Sequence, residues 1–433
     1  MSFLFANDER GRYPDSWYAA STDLPQPRLP LKGAKRTNVC IVGAGFTGLS
    51  AALHLAQAGM KVTVLDAHRV GFGASGRNGG QVGSGFNQDQ IKLEKTMGTD
   101  AARHLWDMTQ AAKALVRNLA TAHAPDAGIS AGVAHADFHA SDTEDSHAYA
   151  AYLADNYGYD HIECLDRSGM TQIIKSAKYT GGTIDWDAFH LHPLRFATGL
   201  ARAAEAAGVT IHENSHVHHI QRGRPATVQT DKGHVTADWV IHATNGYHTS
   251  LSRTQAARVM PINNYLVVSE PLDDPTVVLA KNIAVADNRF VLNYYRLSHD
   301  NRLIFGGGES YGKTFPKDIF AKVRKPMLEI FPQMKGVKLT HAWGGTLGIT
   351  PTRLPLFTRI DATQLVASGF SGHGVALGTF AGKVMADVIT GQTREFDVLS
   401  KLAVPPFPGG QALRTPIMAL AMTWFALRDR IGL

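Results

Sequence analysis

The run Asn38-Val-Cys-Ile-Val-Gly43-Ala-Gly45-Phe46-Thr47-Gly48 decides the fold. Its apolar, β-branched first half reads as a buried parallel strand, and it passes directly into three glycines spaced GxGxxG. Beyond Gly48, the residues Leu49, Ala52, Leu53, Leu55 and Ala56 recur at helical spacing as far as Gly59, which is suited to close the helix. Lys61-Val-Thr-Val-Leu-Asp66 then reads as a second strand, so the stretch forms one βαβ unit of the dinucleotide-binding kind. Gly43 permits the tight turn, Gly45 lets a pyrophosphate approach the backbone, and Gly48 lets helix and strand pack closely. Phe46 and Thr47 fall on the first helical turn, whose unpaired N–H groups and partial positive charge suit phosphates. Asp66 ends the second strand, with Ala67 beside it, where a carboxylate can accept ribose hydroxyls. Cys40, inside the strand, reads as a small core residue.

The motif alone does not separate NAD from FAD. A second cluster follows: Gly71-Phe-Gly-Ala74-Ser75-Gly-Arg77-Asn78-Gly79-Gly80-Gln81 holds five glycines in eleven residues. Such density reads as backbone passing close to a flat ligand or its phosphates; the plainer alternative is a flexible surface loop. Together these motifs resemble the FAD-dependent amine and amino-acid oxidase superfamily, which includes D-amino-acid oxidase, glycine oxidase and sarcosine oxidase. Further stretches extend the resemblance along nearly the whole chain: Trp17-Tyr-Ala-Ala-Ser21, His190-Leu-His-Pro193, Leu292-Asn-Tyr-Tyr-Arg-Leu297, Asn301 to Gly308, Phe370-Ser-Gly-His-Gly374 and Leu427 to Gly432. They are most similar to the bacterial γ-glutamylputrescine oxidoreductase subfamily. The resemblance implies an FAD whose pyrophosphate and ring follow the loop from Ala74, Ser75, Arg77 and Asn78 through Gly79, Gly80 and Gln81. It also implies that Val217 turns its backbone to the adenine and that Thr244 and Asn245 turn near the nucleotide. Gly345 belongs to the same cofactor set, and Gly372, His373, Gly374 and Val375 open a helix directed at the flavin pyrimidine edge.

Composition agrees with a large folded chain. Of 433 residues, 44% are hydrophobic and 18% charged, which excludes disorder, collagen and coiled coil. Forty-three Lys and Arg against 37 Asp and Glu leave a net charge of +6, with no basic run that would favour nucleic acid. Neither Cys40 nor Cys164 sits in a CxxC, and the first 30 residues hold no apolar core of signal-peptide length. The expected compartment is a reducing cytoplasm.

Residues 101–124 carry a helical apolar pattern, and Ser141 with Glu144 suggests a capping box for a helix reaching about Tyr157. A helix over Leu194 to Ala207 leads to apolar runs at 208–212 and 237–246 that read as strands returning to a parallel sheet. Residues 260–340 alternate strands with turns, as an antiparallel sheet does. The expected fold is α/β with an α+β second domain. A Rossmann-like FAD-binding domain is assembled from 36–115, 186–255 and 340–405. It is interleaved with an antiparallel-sheet substrate domain from 116–185 and 256–339, and followed by a helical tail at 406–433.

The chemistry that the resemblance implies is oxidation of an amine C–N bond. The neutral amine gives up hydride to flavin N5, the imine hydrolyses, and oxygen takes the electrons to form hydrogen peroxide. Orientation and electrostatics supply such a rate, so no acid–base dyad is required. Tyr265, Tyr294, Tyr295 and Trp343 are candidates for an aromatic substrate wall, or else they fill a core. His373 is a site contact or a backbone spacer. Arg296 and Arg353 are candidates to hold a substrate carboxylate, or else they are surface arginines. Relatives attach flavin through a Cys near the position of 343–346 or a His in the first glycine loop. Here Trp343-Gly-Gly-Thr346 and Arg77-Asn78 stand in those places, so FAD is expected to be non-covalent. The substrate expected is γ-glutamylputrescine or a related amine. The alternatives are an L-pipecolate or other secondary amine acid dehydrogenase feeding the respiratory chain, and a flavin-binding sensor. His212, His216, His218 and His219 lack the Cys or carboxylate partners of a metal site. Residues 417–431, bracketed by Arg414, Arg428 and Arg430, are too few to span a bilayer and read as a helix at a membrane surface or packed on the body.

Overall fold

The structure is a computed structural model that describes residues 3–248, 251–289 and 291–408. Two sheets organise it. In the first, Gly33–Val42 pairs in parallel with Val62–Leu65 on one side and Gly233–His242 on the other. Thr210–His212 extends the sheet beyond the former, and Gln364–Ser368 with Leu356–Asp361 beyond the latter. Val62–Leu65 and Gln364–Ser368 are buried at every position, as strands covered on both faces must be. One face packs Ile41 and Val64 against Leu49, Leu53, Phe196, Leu200 and Val384 from the helices Phe46–Gln57, Pro193–Ala206 and Ala376–Ile389. The other packs Cys40, Val42 and Val240 against Val217 and Val228 of an antiparallel ribbon, Val217–Gln221 with Ala226–Thr230. Each such fully buried aliphatic contributes about 1.5–3 kcal/mol.

The second sheet runs in the order Leu339–Ile349, Met260–Ser269, Leu303–Ser310, Tyr294–Leu297, Ala284–Asp287, Ser130–Asp137, Gly181–His190 and Gln81–Val82, with Ile162–Asp166 also beside Gly181–His190. It is antiparallel throughout except where Ala284–Asp287 meets Ser130–Asp137. One face closes on the helix Ile319–Ile330 through Tyr265, Val267, Tyr295, Phe305, Met327 and Ile330. The opposite face sets Leu266, Val268, Ile304 and Trp343 against Trp17, Tyr18 and Leu194.

Several expectations need correction. The divisions at 186 and 340 fall inside Gly181–His190 and Leu339–Ile349, both hydrogen-bonded into the second sheet, and Gln81–Val82 adds a further strand to it. Gly181–His190 and Leu339–Ile349 belong whole to the second sheet, so the chain returns to the first sheet only after His190 and after Ile349. The helix Thr99–His123 packs on the first core well past 115, through Val116 and Leu119. The helix Ala140–Tyr157 starts from His139 with no side-chain cap, which leaves Ser141 inside its first turn. The tail helix expected at 417–431, with Arg414, Arg428 and Arg430, lies outside the described residues. Among the described residues no helix is long and apolar enough to cross a membrane, and no group of three His, Cys, Asp or Glu side chains is arranged to hold a metal ion.

Candidate cofactor and active site

The turns at the ends of the first sheet's strands line a cleft that opens to solvent and holds, with that open space included, about 1180 Å³. Gly43, Gly45, Phe46, Thr47, Asp66, Ala67, Ala74, Ser75, Asn78, Val217, Thr244, Asn245, Gly372, Gly374 and Val375 all line it. The first turn has little freedom. Gly43 lies at φ +109, and a Cβ there would stand 2.6 Å from the Ala243 carbonyl oxygen. A Cβ on Gly48 would come within 1.9 Å of the Gly43 oxygen, so Gly48 acts in helix–strand packing and does not line the cleft. At the helix N-terminus the Phe46 N–H donates to Ser75 Oγ at 3.0 Å, joining the two glycine motifs.

Asp66 is already engaged. Its Oδ2 accepts the Ala44 N–H at 2.7 Å and its Oδ1 the His68 N–H at 2.8 Å. Burial raises its pKa to about 6 against the pull of those two N–H groups. Each oxygen keeps a second lone pair for a ribose hydroxyl. Asn78 organises the glycine loop, accepting the Gly80 N–H at 2.7 Å and donating to the carbonyls of Ala74 and Ser75.

Other expected contacts stand behind the wall. Arg77, 2% exposed, turns away from the cleft and donates through Nε to the Phe72 oxygen at 2.6 Å and through Nη1 to the Gly344 oxygen at 2.9 Å. It also pairs with Asp8 at 3.0 Å. Trp343 donates its indole N–H to the Arg77 carbonyl at 3.0 Å and is buried beside Tyr18. Arg77 and Trp343 therefore rivet the glycine loop to the second sheet, with Gly345 packed on the Arg77 stem. Gly79 lies against the Tyr294 ring, Gly80 at φ +80 against the Leu191 carbonyl, and Gln81 donates to the Val285 oxygen at 2.9 Å. His373 sits between two lining glycines with Nδ1 buried and unpartnered; burial, then Arg353, pushes its pKa down to about 4.

The tyrosines divide by strand parity. Neighbours on a strand point to opposite faces, so Tyr294 and Tyr295 cannot both meet the cleft. Tyr295 stacks on Phe305 and donates to the Tyr179 hydroxyl at 3.1 Å, while Tyr265 shares a hydrogen bond with Ser310; both belong to the core beneath the helix Ile319–Ile330. Tyr294 faces the other way, its ring over Gly306 and against Gly79 and its hydroxyl on Asn264 Oδ1 at 2.5 Å. Arg296 is no surface arginine: it is buried, donating to the Gly79 carbonyl at 2.7 Å and to those of Leu191 and Leu297.

Two residues escaped the sequence reading. Tyr247 lines the cleft, packs against Gly73 and accepts the Thr346 N–H at 3.2 Å. Glu309 depends on a bulge. The pairing of Met260–Ser269 with Leu303–Ser310 slips between Asn264 and Tyr265, and Gly308 at φ +73 is the extra residue. This turns Glu309 onto the face of Asn264 and Tyr294. Tyr311 donates its hydroxyl to Glu309 at 2.9 Å, and burial raises the carboxyl's pKa against Arg353 and Lys322. The signal available was Gly306-Gly307-Gly308 inside a strand, directly before a carboxylate.

An FAD fits these residues, because glycines without room for a Cβ, the Phe46 helix N-terminus and the Asp66 carboxylate line one cleft. Comparison with known proteins agrees. Residues 38–388 match the family model described as FAD dependent oxidoreductase. The chain is 38% identical to the probable oxidoreductase OrdL of Rhizobium meliloti, over 96% of this chain and 97% of that protein. It is also 38% identical to the γ-glutamylputrescine oxidoreductase of Escherichia coli, over 97% and 99% respectively. Glycine oxidase from Geobacillus kaustophilus shares the fold at a TM-score of 0.68 and 19% identity, covering 82% of this chain and 95% of that one. From the strand–turn–helix at Gly43 to the helix after Val375, the protein is a member of the FAD-dependent oxidoreductase family.

Proposed function

We propose that this flavoenzyme oxidises the C–N bond of an amine, γ-glutamylputrescine or a close relative, with oxygen as the electron acceptor. The observation that supports this most is the sheet face beside the cleft, where Glu309 stands with Asn264 and Tyr294. A carboxylate there attracts an amine and repels a substrate whose reacting carbon bears its own carboxylate. The likeness to the E. coli enzyme over nearly the full length supports the same reading. FAD, when bound, supplies the hydride acceptor.

The remaining contributions are the chain's own. The backbone of Gly43 and Gly45 and the N-terminus of the helix Phe46–Gln57 would hold phosphate, and Asp66 would hold ribose. Tyr294 offers an apolar wall to methylenes, and His373 stays neutral at working pH. One amine, one oxygen and one water give aldehyde, ammonia and hydrogen peroxide. Non-covalent attachment is part of this reading, supported by Cys40 being buried in the first sheet, Cys164 lying exposed on Ile162–Asp166, and the loop 71–81 holding no histidine. A cytoplasmic setting goes with this reading.

The test is an amine panel on the purified yellow protein. γ-Glutamylputrescine should bleach the flavin anaerobically and yield stoichiometric peroxide in air, and acid precipitation should release FAD to the supernatant. Bleaching by L-pipecolate alone, with no peroxide in air, would overturn the proposal in favour of a dehydrogenase.

A further inference from the structure

The chain ahead of the first strand, Gly33–Val42, returns to the cofactor cleft. Leu4 lines the cleft together with Asp66, His216 and Val217. The Leu4 carbonyl meets His68 Nε2 at 2.8 Å, and His68 Nδ1 accepts the Gly11 N–H at 3.3 Å. Burial pushes the His68 pKa down to about 4, so the ring is neutral; with Nδ1 taken by Gly11, its one N–H is Nε2–H, donated to Leu4. His68 also belongs to the turn of the ribose carboxylate, because its backbone N–H donates to Asp66 Oδ1 at 2.8 Å. Phe5 sets its ring 5.2 Å from that of His68 and 5.1 Å from that of His216, while His68 stacks at 3.7 Å on Phe72, a further cleft residue. Leu4 and Phe5 therefore close the end of the cleft at Asp66 and Val217, where the ribose and adenine of FAD would lie.

More ties hold the same stretch. Asp8 pairs with Arg77 of the glycine loop at 3.0 Å. Asn7 donates to the Lys313 carbonyl at 2.9 Å and accepts the Phe315 N–H at 2.6 Å, in the loop after the strand Leu303–Ser310. Arg10 pairs with Asp231 at 3.0 Å, and Tyr13 donates to the Val70 carbonyl at 2.7 Å. Yet none of residues 3–13 is buried, whereas Leu65 and Val217 in the same wall are. A segment without a core of its own, held by polar contacts along its length, opens at far less cost than the whole fold.

We propose that residues 3–13 are a strap that closes on the adenosine half of bound FAD, keyed to the ribose turn by His68, and that FAD leaves when this strap lifts.

The experiment begins with the unaltered protein. The peptide bonds after Arg10 and Arg12 are trypsin sites inside the strap, and both side chains reach solvent. Trypsin cuts such bonds when the backbone lifts away from the body. Holoenzyme, apoprotein, and apoprotein with ADP at concentrations that block rebinding of FAD are digested side by side, and the fragments are identified by mass. FAD and ADP should each slow cleavage at these sites about tenfold or more relative to the apoprotein. Equal cleavage of apoprotein and holoenzyme, or protection by FAD that ADP does not reproduce, would overturn the strap. Phe5→Ala removes the ring contacts with His68 and His216. It should speed FAD release about tenfold, followed as the rise of free-flavin fluorescence on dilution, and weaken ADP binding to the apoprotein. Deletion of residues 3–11 should speed release further; if that chain does not fold, the proteolysis of the unaltered protein still decides. Unchanged release from the Phe5→Ala protein, or faster release with ADP affinity untouched, would also overturn the proposal. None of these measurements uses an amine, so their failure leaves the oxidase reading standing.

Discussion

At the first sheet the cleft reaches bare backbone at Gly43, Gly45, Gly372 and Gly374 and at the helix start at Phe46. At the second sheet the face beside the cleft is made of side chains, those of Tyr294, Asn264 and Glu309. The contrast follows from what each region handles. A dinucleotide presents the same phosphates in every relative, and backbone amides held by glycine turns meet them. A substrate differs between relatives, and side chains can be exchanged without moving the strands. The backbone wall should therefore tolerate almost no change, whereas on the side-chain wall the effect should depend on which way a residue faces.

The largest effect is expected at Gly48. Its missing Cβ would stand 1.9 Å from the Gly43 oxygen, so Gly48→Ala should cost about 3 kcal/mol and yield protein without flavin, read from the flavin-to-protein absorbance ratio. A yellow, stable Gly48→Ala protein would break the contrast. Next is Arg77→Met, which removes the ties to Phe72, Gly344 and Asp8. Roughly 3 kcal/mol of stability should go, seen as a lower midpoint in urea, with flavin binding weakened only through loosening of the loop. The side-chain wall is sharpened by two neighbours. Tyr294→Phe, which leaves Asn264 Oδ1 unpaired, should lower kcat/KM about tenfold, a loss of about 1.4 kcal/mol. Tyr295→Phe should cost about 1 kcal/mol of stability and leave kcat/KM within about twofold. Equal kinetic effects of the two would show that both tyrosines serve the site.

The smallest effect concerns pH. His373 has a folded pKa near 4, below the ordinary 6.5, because burial and Arg353 oppose its charge. The unfolded chain takes up the proton first, so the contribution of His373 to stability is whole above pH 6.5 and is lost as pH falls toward 4. His373→Asn should flatten the decline of Tm over that window. A decline as steep as in the unaltered protein would place the acid sensitivity elsewhere.

How much could be read in advance followed the same division. The glycine turns, the helix after Gly45 and the strand ending at Asp66 were legible because each is a local pattern within a few residues. The direction of Arg77 was not, since its partners Gly344 and Asp8 are far away in sequence. Nor was the rejection of Tyr265 and Tyr295, because an alternating pattern reveals two faces without saying which one meets the cofactor. Glu309 was hidden twice, by that ambiguity and by a bulge that reverses it.

By itself the sequence determined that this chain builds a dinucleotide site, because a turn at φ +109 and a helix packed against Gly48 admit glycine and little else. Only the tertiary structure decided what stands beside that site. Strand pairing and one extra residue at Gly308 set which side chains face the cleft, and a shift of one position exchanges every one of them for its neighbour.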